Sequence, residues 1–275
     1  MKVLRSPLVV AGGLLVLALV AVAVFAPVLS PYDPRALAGD SLEEPSASHL
    51  LGTDSLGQDL LSQLIWGARN SLLIAMGAAV LATAVGLSVG LLAGLGSRAV
   101  DTVAMRVVDV FLAVPRLPLL VLIAALAGVN RTVLVLVIGL VAWPELARIV
   151  RIQTRTLRQR GFVVSARGFG GGRLYVVGRH LLPALAPILV VAFVTTAGQA
   201  VLMEAGLAFL GLSDPTAVSW GLLLNRALLF QGLYFTSVWV WWVLPVGFAI
   251  TLTVLGFSFI GVGVEPALNP RVNAR

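Results

Sequence analysis

Few residues in this 275-residue chain are equipped for catalysis. The only lysine is Lys2, so a glycine-rich loop that cradles phosphate with a following lysine cannot form. Gly168, Gly170, Gly171 and Gly172 imitate such a loop, but no Lys-Ser/Thr pair follows them. There are two histidines, His49 and His180, and no cysteine. Disulfides and thiol-based metal or redox chemistry are therefore excluded, and a histidine-based metal site is poorly supported. Ser, Asp and His all occur without a triad signature. Two features stand out instead. Arg116 sits between Pro115 and Pro118 inside an apolar run. The stretch Val163–Leu185 holds Arg167, Arg173, Arg179, His180 and a cluster of glycines, with no acid.

The elements that must position these residues are mostly oil. The chain is 59% hydrophobic and 11% charged, against about 25% charged in a soluble domain. Its apolar residues form runs near the ~20 residues that cross ~30 Å of hydrocarbon. Six spans are expected: Leu8–Ala26, Ser71–Leu95, Val107–Gly128, Thr132–Ala147, Leu185–Ala205 and Val238–Gly263. The fourth is short, with Trp143-Pro144 near its inner end. None alternates with period 2, which argues against a β-barrel. Lys2, Arg5 and the apolar run after them could form a signal peptide, but the run reaches Ala26, long for such a region, and an uncleaved first span is expected.

Basic residues set the orientation. With the N-terminus inside, fourteen of the 19 Lys and Arg fall on cytoplasmic segments, while Arg35, Arg69, Arg131 and Arg226 fall outside and Arg116 within a span. Such asymmetry marks both termini as cytoplasmic. It also explains the net charge of +7 without nucleic acid as a partner. The loop Val28–Asn70 is then external and carries six acids, and the longest cytoplasmic segment is Arg148–Ala184.

That segment reads as two short helices around a break. Phe162, Ala166 and Phe169 fall at helical spacing, as do Leu174, Val177 and Leu181. Gly170-Gly171-Gly172 separates them, and Pro183 is expected to end the second helix. The elbow is either a positive-inside loop with an interfacial helix or a docking knob for a cytoplasmic partner.

Other polar residues have plainer expectations. A central arginine is costly in hydrocarbon, so Arg116 should pair with Asp109 or a neighbouring subunit, or face a pathway. Asp109 should pair with Arg106 at i, i+3. Asp54 and Asp59 suit turns and helix caps. Glu204 reads as an interfacial acid at a span's outer end, His180 as a packed interfacial residue, and Trp239, Trp241 and Trp242 as an aromatic belt.

The elbow also resembles the coupling loop of ATP-binding-cassette importer permeases, in which Glu-Ala-Ala is followed after three residues by Gly, then by His and Pro. Here those positions are Val164, Ser165, Ala166, Gly170, His180 and Pro183. The family's glutamate is Val164 and its first alanine Ser165, so a salt bridge from position 164 is not expected. "VLSPYDP" (Val28–Pro34), "LGTDSLGQDLLSQLIWGARNSL" (Leu51–Leu72), "EAGLAFLGLSDPTAVSWGLLL" (Glu204–Leu224) and "VLGFSFIGVGVEPALNPR" (Val254–Arg271) resemble the C-type permease subunits of dipeptide, oligopeptide and nickel importers. Gln58 stands where relatives often have arginine.

The resemblance implies an all-α polytopic protein with about six transmembrane helices and the type I importer permease fold. It divides the chain into an N-terminal helix (1–28), an extracytoplasmic loop (29–70), a core permease domain (71–264) with a cytoplasmic coupling loop (148–184), and a cytoplasmic tail (265–275). It implies that Val164, Ser165, Ala166, Arg167, Gly170, Gly171, Arg173, His180 and Pro183 dock an ATPase subunit, and leaves Arg116 as a pathway candidate. The implied partners are a homologous permease subunit in a heterodimer, two ATP-binding subunits, an extracytoplasmic solute-binding protein and membrane lipid. The chain itself is expected to hold no cofactor and not to be an enzyme, with ATP and Mg on the ATPase subunits. The implied setting is a bacterial or archaeal inner membrane, and the implied cargo di- or oligopeptides, with nickel or a metal chelate as the alternative. A secondary transporter would need coupling acids inside the spans, and the sequence offers few. A non-transporting scaffold is the remaining class.

Overall fold

The computed structural model describes residues 6–214 and 216–268, without side chains from 265 onward. Among the described residues eleven α-helices follow one another: α1 Pro7–Val24, α2 Ala26–Leu29, α3 Leu60–Leu95, α4 Arg98–Ala113, α5 Arg116–Ala127, α6 Arg131–Arg158, α7 Gly161–Gly168, α8 Arg173–Val176, α9 Leu182–Phe209, α10 Trp220–Leu229 and α11 Val238–Leu268. Among the described residues the only bridge of strand type joins Thr53 and Asp59. Five helices or continuous helical stretches are long and apolar enough to cross a membrane, and α4 with α5 makes a sixth only as a pair bent by 89°.

That bend corrects the expected third span. Pro115 supplies no N–H and restrains Val114 to an extended backbone, so the chain leaves α4 before Arg116 opens α5. The fourth span is longer than expected. It begins at Arg131, where the Asn130 side chain caps α6, and runs through Pro144 to Arg158. The short α10, capped by Ser219, was not anticipated. The expected tail from residue 265 lies almost wholly outside the described residues, as do Lys2, Arg5 and Arg271.

One ridge of small residues organises the centre. Gly86, Gly90 and Gly94 recur every four residues on α3 and meet α6 so closely that a Cβ on Gly90 would lie 2.6 Å from Val150 Cβ. Spacing of this kind lets two backbones approach where lipid offers no hydrophobic drive to pack them. Ala75, Ala78 and Ala79 continue the ridge into a core shared with Ile138, Val141, Ala197 and Val201. Gly90→Leu is expected to force α3 from α6 at a cost of about 1–3 kcal/mol. A lower melting temperature in detergent, followed by circular dichroism of the helices, would show it; an unchanged melt would mean that the helices separate freely. On the far flank, Gly12 on α1 and Gly256 on α11 bring those helices into similar contact.

The segment between α2 and α3 folds as a cap over one end of the bundle. Asp59 caps α3, accepting from Ser62 N at 2.8 Å, and Asp54 forms an Asx turn by accepting from Leu56 N and Gln58 N. This agrees with the turn and cap expectations. The opposite end carries the arginine-rich α7–α8 segment. Two interfacial expectations fail. Glu204 is buried, accepting from Ser71 Oγ at 3.0 Å, because the turn after α9 folds α10 back over it. Trp242 is buried in the core, while Trp239 remains exposed.

Candidate coupling elbow and membrane cavity

The elbow is closed by one residue. At the end of α7, Gly170 adopts φ +85°, a conformation glycine takes without strain. Gly170 N donates to Arg167 O and Gly171 N to Ala166 O. These two bonds form a Schellman motif, which satisfies carbonyls that the helix end would leave unpaired. α8 then starts at Arg173.

Of the apolar faces expected from spacing, Leu181 anchors the elbow and Val177 packs beside it, whereas Phe162, Phe169 and Leu174 do not. The elbow's buried contacts are Val163, Val176 and Leu181, packed with Leu146, Val150 and Leu185 of α6 and α9. Phe169 and Leu174 stand out at 93% and 90% exposure. Val164, Ser165, Arg167 and Arg173 are exposed beside them, with Ala166 and Gly171 half-buried. Phe162, Phe169, Tyr175, His180 and the glycines line a shallow hollow of about 590 Å³. The His180 ring packs 5.6 Å from Tyr175 and 5.9 Å from Phe162, in agreement with a packed residue.

Pro183 does not end a helix, contrary to expectation. It sits in the first turn of α9, directly after a π-helical turn over Val177–Leu181. Leu182 N reaches back to Val177 O, and this widened turn accommodates a proline that cannot donate and would crowd the preceding carbonyls. The elbow is thereby joined without a loop to the long helix α9.

Arginines brace the same end. Arg151 and Arg155 both grip Asp101 in the first turn of α4, and Arg158 donates to Gly94 O at 2.7 Å. The side-chain hydrogen bond from Arg151 holds the Asp101 carboxyl below the usual carboxylate range.

Arg116 has a different partner from the expected one. It forms an ion pair with Glu145 of α6, whereas Asp109 pairs with Arg148 at 2.7 Å and not with Arg106. The 89° bend explains both changes, since it turns Asp109 away from α5 and leaves Arg116 at the first position of α5. Glu145 adjoins a cavity of about 610 Å³ between α6 and α9, whose walls include Gln153, Thr195, Thr196 and Gln199. A second hollow, about 680 Å³, lies at the capped end among Asp33, Arg35, Trp66, Arg69, Arg131 and Asp214.

Sequence reasoning missed Glu145 and Gln199. The available signal was an acid just after Trp143-Pro144 and an amide within an apolar helix. It also missed the network in which Arg131 and Val218 O hold the Asn70 side chain, which no local pattern marks.

Residues 86–274 match the family described as the binding-protein-dependent transport system inner membrane component. Residues 2–45 match the N-terminal transmembrane domain of oligopeptide transport permease C. A di/tripeptide transport system permease protein of Pseudomonas aeruginosa is 38% identical, covering 95% of this chain and 88% of its own. The glutathione transport system permease protein of Pectobacterium atrosepticum is 35% identical over 99% and 90%. The dipeptide transport system permease protein of Alkalihalophilus pseudofirmus is 33% identical over 98% and 88%. A solved chain of the MetNI methionine ABC transporter in inward-facing conformations shares the fold, with TM-score 0.59, 20% identity and coverage of 78% and 98%.

Proposed function

Since the chain belongs to the inner membrane component family of binding-protein-dependent transport systems, an ABC importer permease in a multi-pass fold, we propose that it takes up di- and oligopeptides as one half of a heterodimeric pathway. Peptide cargo is favoured over nickel or a metal chelate by the named transport of its similar relatives. A homologous permease completes the pathway. Two ATPase subunits, which hold the ATP and Mg, dock on the elbows of the two permeases. A solute-binding protein delivers cargo at the capped end.

The observation that carries this reading is the elbow itself. A rigid turn fixed by Gly170 presents Phe169 and Leu174 to solvent, while Val163, Val176 and Leu181 tie it to α6 and α9. Exposed apolar side chains on a braced element suit insertion into a partner's cleft. A push on the elbow reaches α9 through the π turn without an intervening loop. Arg116 and Glu145 face the pathway, because an exposed charge at that depth is stable only against water or protein. The experiment is deletion of this chain, followed by peptide uptake and ATPase assembly; uptake that survives would leave a scaffold role.

The capped end faces outward and both termini lie in the cytoplasm, by the arginine bias. In this cysteine-free chain, Asp40→Cys and Ser213→Cys are expected to react with a membrane-impermeant thiol reagent on intact cells, and Thr156→Cys to stay unlabelled. Labelling of Thr156→Cys from outside would reverse the orientation.

A further inference from the structure

We propose that the cavity between α6 and α9 is a station for the peptide in transit, where Arg116 takes its carboxylate and Glu145 its ammonium group. The inference rests on the peptide-importer reading above and assigns the residues that meet the cargo.

Depth is the first argument. Counted from Arg131 at ~1.5 Å per residue, Glu145 lies ~21 Å down α6. Counted from Phe209, Gln199 lies ~15 Å down α9. Both are within the ~30 Å hydrocarbon thickness. Yet Glu145 and Gln199 are exposed, and Thr195 is exposed beside them. Hydrocarbon cannot solvate an amide or a carboxylate, so this wall faces the pathway shared with the partner permease and not lipid. The cavity reaches from this level to Gln153, near the arginine-rich end, and its ~610 Å³ falls in the range of small-molecule sites.

Charge is the second argument. Glu145, a wall residue of the cavity, has a side chain 59% exposed, and that of its partner Arg116, which stands behind it, is 26% exposed. Separating such a pair leaves both charges to water alone, and the Arg116 guanidinium, the more covered of the two, is the worse placed for that. A short zwitterionic peptide removes that penalty by supplying one replacement for each partner. Its carboxylate can meet the guanidinium through two parallel hydrogen bonds. A neutral solute offers no such exchange. Because one ion pair is given up as the others form, net affinity stays low, which suits a site that cargo must leave again.

The test uses the assembled permease–ATPase complex in open membranes, with Thr195→Cys as reporter and a water-soluble maleimide as probe. The Thr195 hydroxyl bonds only to its own helix, to Val191 O and Ala192 O, so the reporter leaves the ion pair intact. Labelling is expected, and alanyl-alanine should slow it in step with its occupancy, roughly ten-fold at about nine times its dissociation constant. The same peptide acetylated and amidated at its ends should not slow it. Protection should vanish in Arg116→Gln, in Glu145→Gln and in the double variant, which leaves no lone charge to upset assembly. A reporter that never reacts would overturn the proposal by showing a dry cavity. Equal protection by the capped peptide, or protection that survives in the double variant, would overturn it as well. These failures leave the importer reading intact; that reading falls only if peptide uptake persists without this chain.

Discussion

Gly170→Val should leave the permease in the membrane but strip it of its ATPase subunits. At φ +85° a β-branched residue is strained by about 1–3 kcal/mol. A Cβ on Gly170 would meet nothing within 4 Å, so the effect would come from the backbone alone. The chain can relieve it only by giving up the bonds from Gly170 N and Gly171 N, which re-aims α8 and the exposed Leu174. Strain of that size can lower docking affinity about ten-fold or more. Gly170→Asn is the control, because asparagine tolerates the left-handed conformation and should retain most of the docking. The neighbours separate cleanly. On Gly171 a Cβ would lie 2.6 Å from Ala166 O, so Gly171→Ala should also disturb the elbow. Gly172 has open space and an extended backbone, so Gly172→Ala should be silent. Exposed arginines nearby matter less, since exposed ion pairs contribute under ~1 kcal/mol. Co-purification of the ATPases, read with peptide uptake, decides the matter. Full assembly and uptake in Gly170→Val would reduce the elbow to a positively charged loop.

What the sequence made legible follows from how local each signal is. Long apolar runs gave five spans with useful accuracy, because crossing hydrocarbon is a requirement of length and composition. Gly170 and Asp59 were legible for a similar reason: a turn needs its glycine and a cap its acid at one position. Of the elbow's anchors only Leu181 was expected. Helical spacing identified Phe162, Phe169 and Leu174 as apolar positions but could not say which side of them faced the bundle. The third span failed because Pro115 could equally kink a continuous helix or break it, and the 89° bend depends on α4 lying against α6 through Asp101 and Asp109. Arg116 then acquired Glu145, a partner on another helix, in place of the sequence neighbour Asp109. Glu204 was assigned to an interface by its position in the span. Its burial arises from α10, a short helix whose packing partner lies far away in sequence.

Asp59→Ala is expected to produce the opposite failure, at the other end of the molecule. The Asp59 carboxylate is buried and serves three donors: Ser62 N at 2.8 Å, Ser62 Oγ at 2.6 Å and His49 Nδ1 at 3.0 Å. Removing it takes the cap from α3, at about 0.5–2 kcal/mol. It also leaves the His49 Nδ1–H and the Ser62 O–H without their acceptor in a buried place, at about 1–3 kcal/mol each. Few other bonds fasten this loop to the helices: Tyr32 N donates to Ser62 Oγ, Leu60 N to Gly52 O, Gln63 to Asp54, and Arg226 to Gln58. The cap over residues 30–59 should therefore loosen from α3, while α6, α9 and the elbow, which it does not touch through Asp59, keep their packing. ATPase subunits should co-purify as in the parent, unlike in Gly170→Val. Stimulation of ATP hydrolysis by the loaded binding protein should fall, because the surface offered to that protein is no longer held in one shape. Trypsin added outside spheroplasts reports the loosening directly, with faster cleavage after the exposed Arg35, whose carbonyl is otherwise held by Gln58 Nε2. Asp59→Asn retains an acceptor for the cap and should show a smaller change. Parental cleavage together with full stimulation in Asp59→Ala would mean that the loop is held by its other contacts and that its acids are only surface charge.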